Sequence, residues 1–318
     1  MSVESKLTKR KLRSIVSTMS SVHEVIQTRG VDEARRLAAS KHERAIIDTA
    51  FDVISSEDDG AAYSHAGFAM TSLPHKQTDE TIWRREGHLT TLIIQSGASK
   101  HGKHIGLPYG SLARLILLYL QSEAIRTNSP RVELGRSMNR WLVSMGLQVG
   151  GKTYKLVSDQ AYRISTCNLA FISEGRSGVE ERQNATFVDR AITMLDMLGD
   201  QPTLWQESVT LNHHFYSSLR DHPVPVSEAA IKAIGPRSLV IDLYIWLCWR
   251  LHALPRDQPV RWAALHAQFG SGYKALRQFK PSFVAALDLA LAAYPDARVS
   301  VDADGIIMRP SRPAIAKL

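Results

Sequence analysis

The sequence predicts a helix-rich α+β fold: an N-terminal helical segment followed by two similar modules. Three observations carry this. Apolar residues recur at helical spacing along most of the chain. Short alternating runs, broken by turn residues, punctuate the helices. A succession of three helices leading into strands occurs twice, in 111–174 and again in 237–311. The 318 residues suffice for two hydrophobic cores, and 44% hydrophobic with 22% charged residues excludes wholesale disorder.

The elements follow in order. Residues from about Glu4 to Ser55 read as helical, with Leu37, Ile46, Ile47, Ala50 and Val53 at helical spacing. The polar, glycine-containing stretch 55–79 reads as a linker or loop. TIWRRE and LTTLIIQSG alternate around Glu86-Gly87-His88, a β-hairpin pattern. GASKHGKHIGLPYG (97–110) is a basic, glycine-rich connector. A helix over 111–127, a short strand RVELG, helices over 136–147 and 152–167, and the strand NLAFISE come next. Three helices and then strands is the order of a winged helix.

The second module repeats it. QESVTLN (206–212) is strand-like, and 237–254 is a strongly apolar helix ending before Pro255. Residues 260–270 form a short helix, and 271–295 a longer one with a start, break or kink at Pro281. Residues 297–311 alternate around Asp302-Ala303-Asp304-Gly305, which makes a hairpin. The expected division is 1–80 as helical segment and linker, 81–205 as first winged-helix domain and 206–318 as second.

Charge points to a partner. The net charge is +8, yet residues 97–165 carry +7, residues 166–212 carry −4 and residues 213–318 carry +5. Two basic blocks, one per module, suit two surfaces facing one polyanion, and double-stranded DNA is the partner expected. In a helix-turn-helix unit the third helix turns an apolar face to the core and a basic face to DNA. Over 152–167 the apolar side is Leu156, Val157, Ala161 and Ile164, leaving Lys152, Tyr154, Lys155 and Arg163 as DNA-binding candidates. Over 271–294 the core stripe is Leu276, Phe279, Phe283, Leu287, Leu291 and Tyr294, leaving Tyr273, Lys274, Arg277 and Lys280. Arg136 and Arg140, on the preceding helix of the first module, are assigned to the DNA backbone.

Other chemistries fit the sequence less well. Gly146–Thr153 matches the G-x-x-x-x-G-K-T phosphate loop, but that loop needs a strand before it, and 136–147 has helical spacing. A glycine-rich turn between helices is expected there, with Lys152 opening the next helix; a nucleotide hydrolase using this segment is the competing enzyme reading. Twelve histidines show no metal-binding spacing, and no serine sits in a nucleophile elbow. No catalytic residue, metal or cofactor is therefore assigned, and the protein is not expected to be an enzyme. The two cysteines, Cys167 and Cys248, lie in apolar surroundings and read as buried thiols. Neither a signal peptide nor a membrane span is expected, so the location expected is the cytoplasm.

The two long blocks 107–165 and 222–295 resemble the RepA-type plasmid replication initiator family, and the likeness extends over about 90–310. The pattern Tyr273…Phe279-Lys280…Ala285 is similar to the recognition helix of iteron-binding initiators with two winged helices, from which Pro281 departs. The resemblance implies binding to repeated sites at a plasmid origin, origin opening, recruitment of the host replicative helicase machinery, and a homodimer that represses its own synthesis. A winged-helix transcriptional repressor is the alternative within the same fold.

Overall fold

In a computed structural model of the chain, residues 20–57, 60–87, 89–174, 180–189 and 208–315 are described. The expected helical residues Glu4–Met19, the turn residue His88 and the strand-like Gln206-Glu207 lie outside them. The chain divides into two compact units: a central one, 62–224 with 267–272, and a terminal one made of the chain up to 61, 225–266 and the residues from 273 onward. Among the described residues no helix is long and apolar enough to cross a membrane.

The terminal unit begins with helices α1 (Ser20–Arg29), α2 (Val31–Leu37) and α3 (Lys41–Ile54). Ser40 caps α3 by accepting the Glu43 N–H, while the Glu43 carboxylate accepts the Ala39 N–H at 2.6 Å. This reciprocal arrangement satisfies donors that a helix start leaves without partners. Ile46, Ile47 and Ala50 are buried, as their spacing predicts.

Strand β1 (Ala61–His65) and helix α4 (Ala66–Met70) occupy a stretch whose sequence reads as loop. The correction has a local cause. His65 caps α4, its Nδ1 accepting the Gly67 N–H at 2.9 Å, and its ring stacks on Phe171 at 4.7 Å. A Cβ on Gly67 would lie 2.3 Å from the same Phe171 ring, so glycine is what admits the helix to this site. Strands β2 (Ile82–Glu86) and β3 (Thr90–Gln95) form the expected hairpin.

The central unit continues with α5 (Gly110–Arg126), β4 (Arg131–Glu133), α6 (Met138–Ser144), α7 (Gly151–Thr166), β5 (Asn168–Glu174) and β6 (Glu180–Thr186). Strand β7 (Ser208–Thr210) and helix α8 (His213–Asp221) complete it. Its main sheet runs β2-β3-β5-β6, antiparallel throughout, with Leu92 opposite Phe171. Strand β4 pairs with β7, Val132 opposite Val209. One core gathers Leu92 and Ile94 from the sheet, Ile116 and Leu120 from α5, Trp141 and Leu142 from α6, and Val157 and Ile164 from α7.

Strand β8 (Pro223–Ser227) carries the chain back to the terminal unit, which adds α9 (Glu228–Ile234), α10 (Ser238–Leu251), β9 (Gln258–Arg261), α11 (Trp262–Phe269), α12 (Leu276–Ala292), β10 (Arg298–Val301) and β11 (Gly305–Arg309). The sheet order is β10-β11-β9, all antiparallel. Sequence reasoning missed β9. It holds four residues, and Pro259 is tolerated because the strand lies at the sheet's edge. Phe279, Phe283 and Leu287 of α12 are fully buried, with the Trp262 ring edge-on to Phe283 at 5.8 Å. Helix α3 packs against α9 and α12, His42 Nε2 lying 3.4 Å from Asp288 Oδ2. Helix α12 runs through Pro281 without ending there; the proline lacks the N–H that would reach the Arg277 carbonyl.

Candidate nucleic-acid interface

Helices α6 and α7 meet through the turn 145–150. Ser137 caps α6 by accepting the Arg140 N–H, and Gly146 takes a φ of 70° as the chain leaves the helix. The preceding element is thus a helix, and Gly146–Thr153 is a helix-to-helix turn with Lys152 in the first turn of α7.

Helix α7 buries Val157, Gln160, Ala161 and Ile164. The Gln160 side chain accepts the Tyr109 N–H at 2.8 Å, so this polar group is satisfied inside the fold. Lys152, Lys155 and Leu156 form an exposed strip, since positions three and four apart share a helix face. Leu156, expected in the core, is instead 42% exposed. The helix buries only the strip centred on Val157, Ala161 and Ile164, and Leu156 falls beside it. Arg136 and Arg140 are exposed at the start of α6.

The remaining central-unit residues are otherwise engaged. Tyr154 is half-buried, and its hydroxyl donates to Asn139 Oδ1, tying α7 to α6. Arg163 turns inward. Its Nε donates to Asp159 Oδ2 at 2.9 Å, its Nη1 to the Leu107 carbonyl, and its guanidinium lies 5.4 Å from the Tyr109 ring.

In the terminal unit Tyr273 and Lys274 belong to the loop before α12, not to the helix. The Tyr273 carbonyl accepts from His266 Nε2, and its ring meets Phe279 at 5.7 Å; Lys274 is exposed. Ala275 ends the loop in an extended conformation, which sets the helix start at Leu276. Arg277 is exposed in the first turn, and Lys280 Nζ sits 5.0 Å from the Trp262 ring centre. Leu276, expected in the core stripe, is 37% exposed because the first turn of α12 stands clear of the core that begins at Phe279.

Helices α7 and α12 share an electrostatic feature. Neither has an acidic residue in its first turn, and neither receives a side-chain cap. The positive end of each helix dipole is thus not offset by an acidic side chain in its own first turn, a feature they share with α5 and α10. Sequence reasoning missed Leu156 and Leu276 on these exposed strips.

No group of three or more histidine, cysteine, aspartate or glutamate side chains suited to a metal occurs among the described residues. Cys167 and Cys248 are buried free thiols, and burial pushes both well above the ordinary thiol range.

Comparison with known proteins gives three findings. No curated protein matches the chain. Solved structures similar to it include two of RctB. One is a crystal structure of selenomethionine derivatives of domains 2 and 3 of RctB: 10% identity, TM-score 0.47, over 85% of this chain and 99% of that one. The other is a crystal structure of RctB domains 2–3, at 12% identity and TM-score 0.42, covering 76% and 93%. The RepA_C family, described as plasmid-encoded RepA protein, matches residues 107–267. This chain belongs to that family, in agreement with the resemblance its sequence carries.

Proposed function

We propose that the protein initiates plasmid replication by binding repeated double-stranded DNA sites at an origin through two winged helices. The observation that carries this reading is the repeated element order. One unit runs α5, β4, α6, α7, β5, β6; the other runs α10, β9, α11, α12, β10, β11. In each, the third helix begins with exposed basic residues and no acidic residue in its first turn. That is the charge and geometry a helix needs to approach the major groove.

The functional modules lie within 81–205 and 206–318, with 1–80 preceding them. Lys152 and Lys155 meet DNA from α7, with Arg136 and Arg140 on the flanking phosphates. Lys274 and Arg277, with Lys280 and Tyr273 beside them, do the same at α12. Tyr154 and Arg163 hold α7 in position from behind. Two linked modules raise each other's effective concentration at adjacent grooves. Origin opening, helicase recruitment and autorepression by a homodimer complete the proposal, and membership of the RepA_C family supports them.

The test has two parts. A plasmid carrying the origin but lacking its own initiator gene is supplied with the protein in trans. Replication supports initiation; repression of the promoter without replication favours a transcriptional repressor. In parallel, Lys152→Glu with Lys155→Glu is expected to abolish specific retardation of origin DNA, and unchanged binding removes α7 from the interface.

A further inference from the structure

Both third helices expose a leucine among their basic side chains. Leu156 lies on the strip of Lys152 and Lys155 and is 42% exposed. Leu276, in the first turn of α12, follows exposed Lys274 within two residues, precedes exposed Arg277 and is 37% exposed. One exposed leucine is ordinary on a protein surface. Two exposed leucines on corresponding helices, each with lysine or arginine near it in sequence, form a pattern that solvation alone does not favour. Water would be served better there by any polar residue.

We infer that Leu156 and Leu276 are specificity-determining residues that pack against thymine C5-methyl groups in the major groove. The inference rests on the duplex-binding reading above. The basic neighbours point to the occupant: a polyanion suits these surfaces, and the apolar group a DNA duplex presents in its major groove is the thymine methyl. A leucine there gains from removing that methyl from water. Against cytosine the same leucine desolvates an amino group and returns no hydrogen bond, so thymine is preferred. The lysines and arginines hold the phosphates or guanine edges on either side. Val143 and Val149 are also exposed, on α6 and on the turn before α7.

The test uses the full chain and duplexes it enriches from a random-sequence pool. Each thymine is replaced singly by deoxyuridine, which removes the methyl and leaves base pairing intact. Loss of one buried methyl is expected to weaken wild-type binding about fourfold at one thymine per leucine. Leu156→Ala is expected to be insensitive to deoxyuridine at one of these positions and Leu276→Ala at another, with the salt dependence of binding unchanged in both. Both leucines are partly exposed, and circular dichroism establishes that the variants fold. Wild-type protein indifferent to every deoxyuridine, or variants as sensitive as wild type, overturns the inference while duplex binding stands. Failure to enrich any sequence overturns the duplex-binding reading and this inference with it.

Discussion

Arg163 Nε donates to Asp159 Oδ2 at 2.9 Å, one turn earlier on the same helix, and the guanidinium closes over the Leu107 carbonyl and the Tyr109 ring. Its side chain is 11% exposed. Arg163→Ala is therefore expected to cost about 1.5–3 kcal/mol of stability, the range for hydrogen bonds to a charged group. Chemical denaturation measures it. The salt slope of DNA binding by the folded variant should match wild type, which separates a supporting residue from a phosphate contact.

Gly106 couples to the same arginine. It adopts φ 99°, and a Cβ there would lie 2.1 Å from Arg163 Nη1. Gly106→Ala should cost about 1–3 kcal/mol through backbone strain and displacement of the guanidinium. In an Arg163→Ala background the cost should shrink, because the obstructing atom is gone while the strain remains. A double-mutant cycle in urea reads the difference.

The exposed cations make the opposite prediction. Lys152→Ala, Lys155→Ala, Arg136→Ala and Arg140→Ala should leave thermal stability within about 0.5 kcal/mol of wild type. Each that contacts a phosphate should lower the slope of log Kd against log salt by about one. Titrating labelled origin DNA at several salt concentrations checks this, and an unchanged slope assigns that side chain to solvent.

Acid should destabilise the central unit. His65 is enclosed, with Nδ1 accepting the Gly67 N–H and Nε2 2.9 Å from Ser218 Oγ. Burial, with a smaller contribution from His222, holds its pKa down to about 3. Burial and the charges of Arg114 and Arg85 push His75 down to about 2. An unfolded chain binds these protons near pH 6.5, so both groups favour the fold above that pH and penalise it as pH falls. Each should remove about 1.4 kcal/mol per pH unit between about 6 and 4. Urea unfolding across that range measures the slope, and His65→Gln should reduce it by one proton's worth.

The helices and hairpins with clear periodicity were legible in the sequence. Val157, Ala161 and Ile164 announce α7, and the turn Asp302–Gly305 announces the last hairpin. What escaped depends on contacts between distant residues. Helix α4 has few large apolar side chains and exists through His65, Gly67 and Phe171, the last more than a hundred residues away. Strand β9 is recognisable only through its pairing with β11. The long side chain of Arg163 suits solvent by every sequence criterion; Gly106, Leu107 and Tyr109 supply the pocket that turns it inward. Tyr273 and Lys274 look helical until Ala275 fixes where α12 begins.

The terminal unit draws helices α1–α3 from one side of the central unit's sequence and α9–α12 from the other. During translation this imposes a sequence of events. Helix α3 emerges early with Ile46, Ile47 and Ala50 uncovered, and its partners α9 and α12 emerge only after the intervening 160 or so residues. Most of the central unit's sequence emerges while the nascent N-terminal helices still wait, so a ribosome stalled before α9 has emerged would display α3 without the helices that cover it.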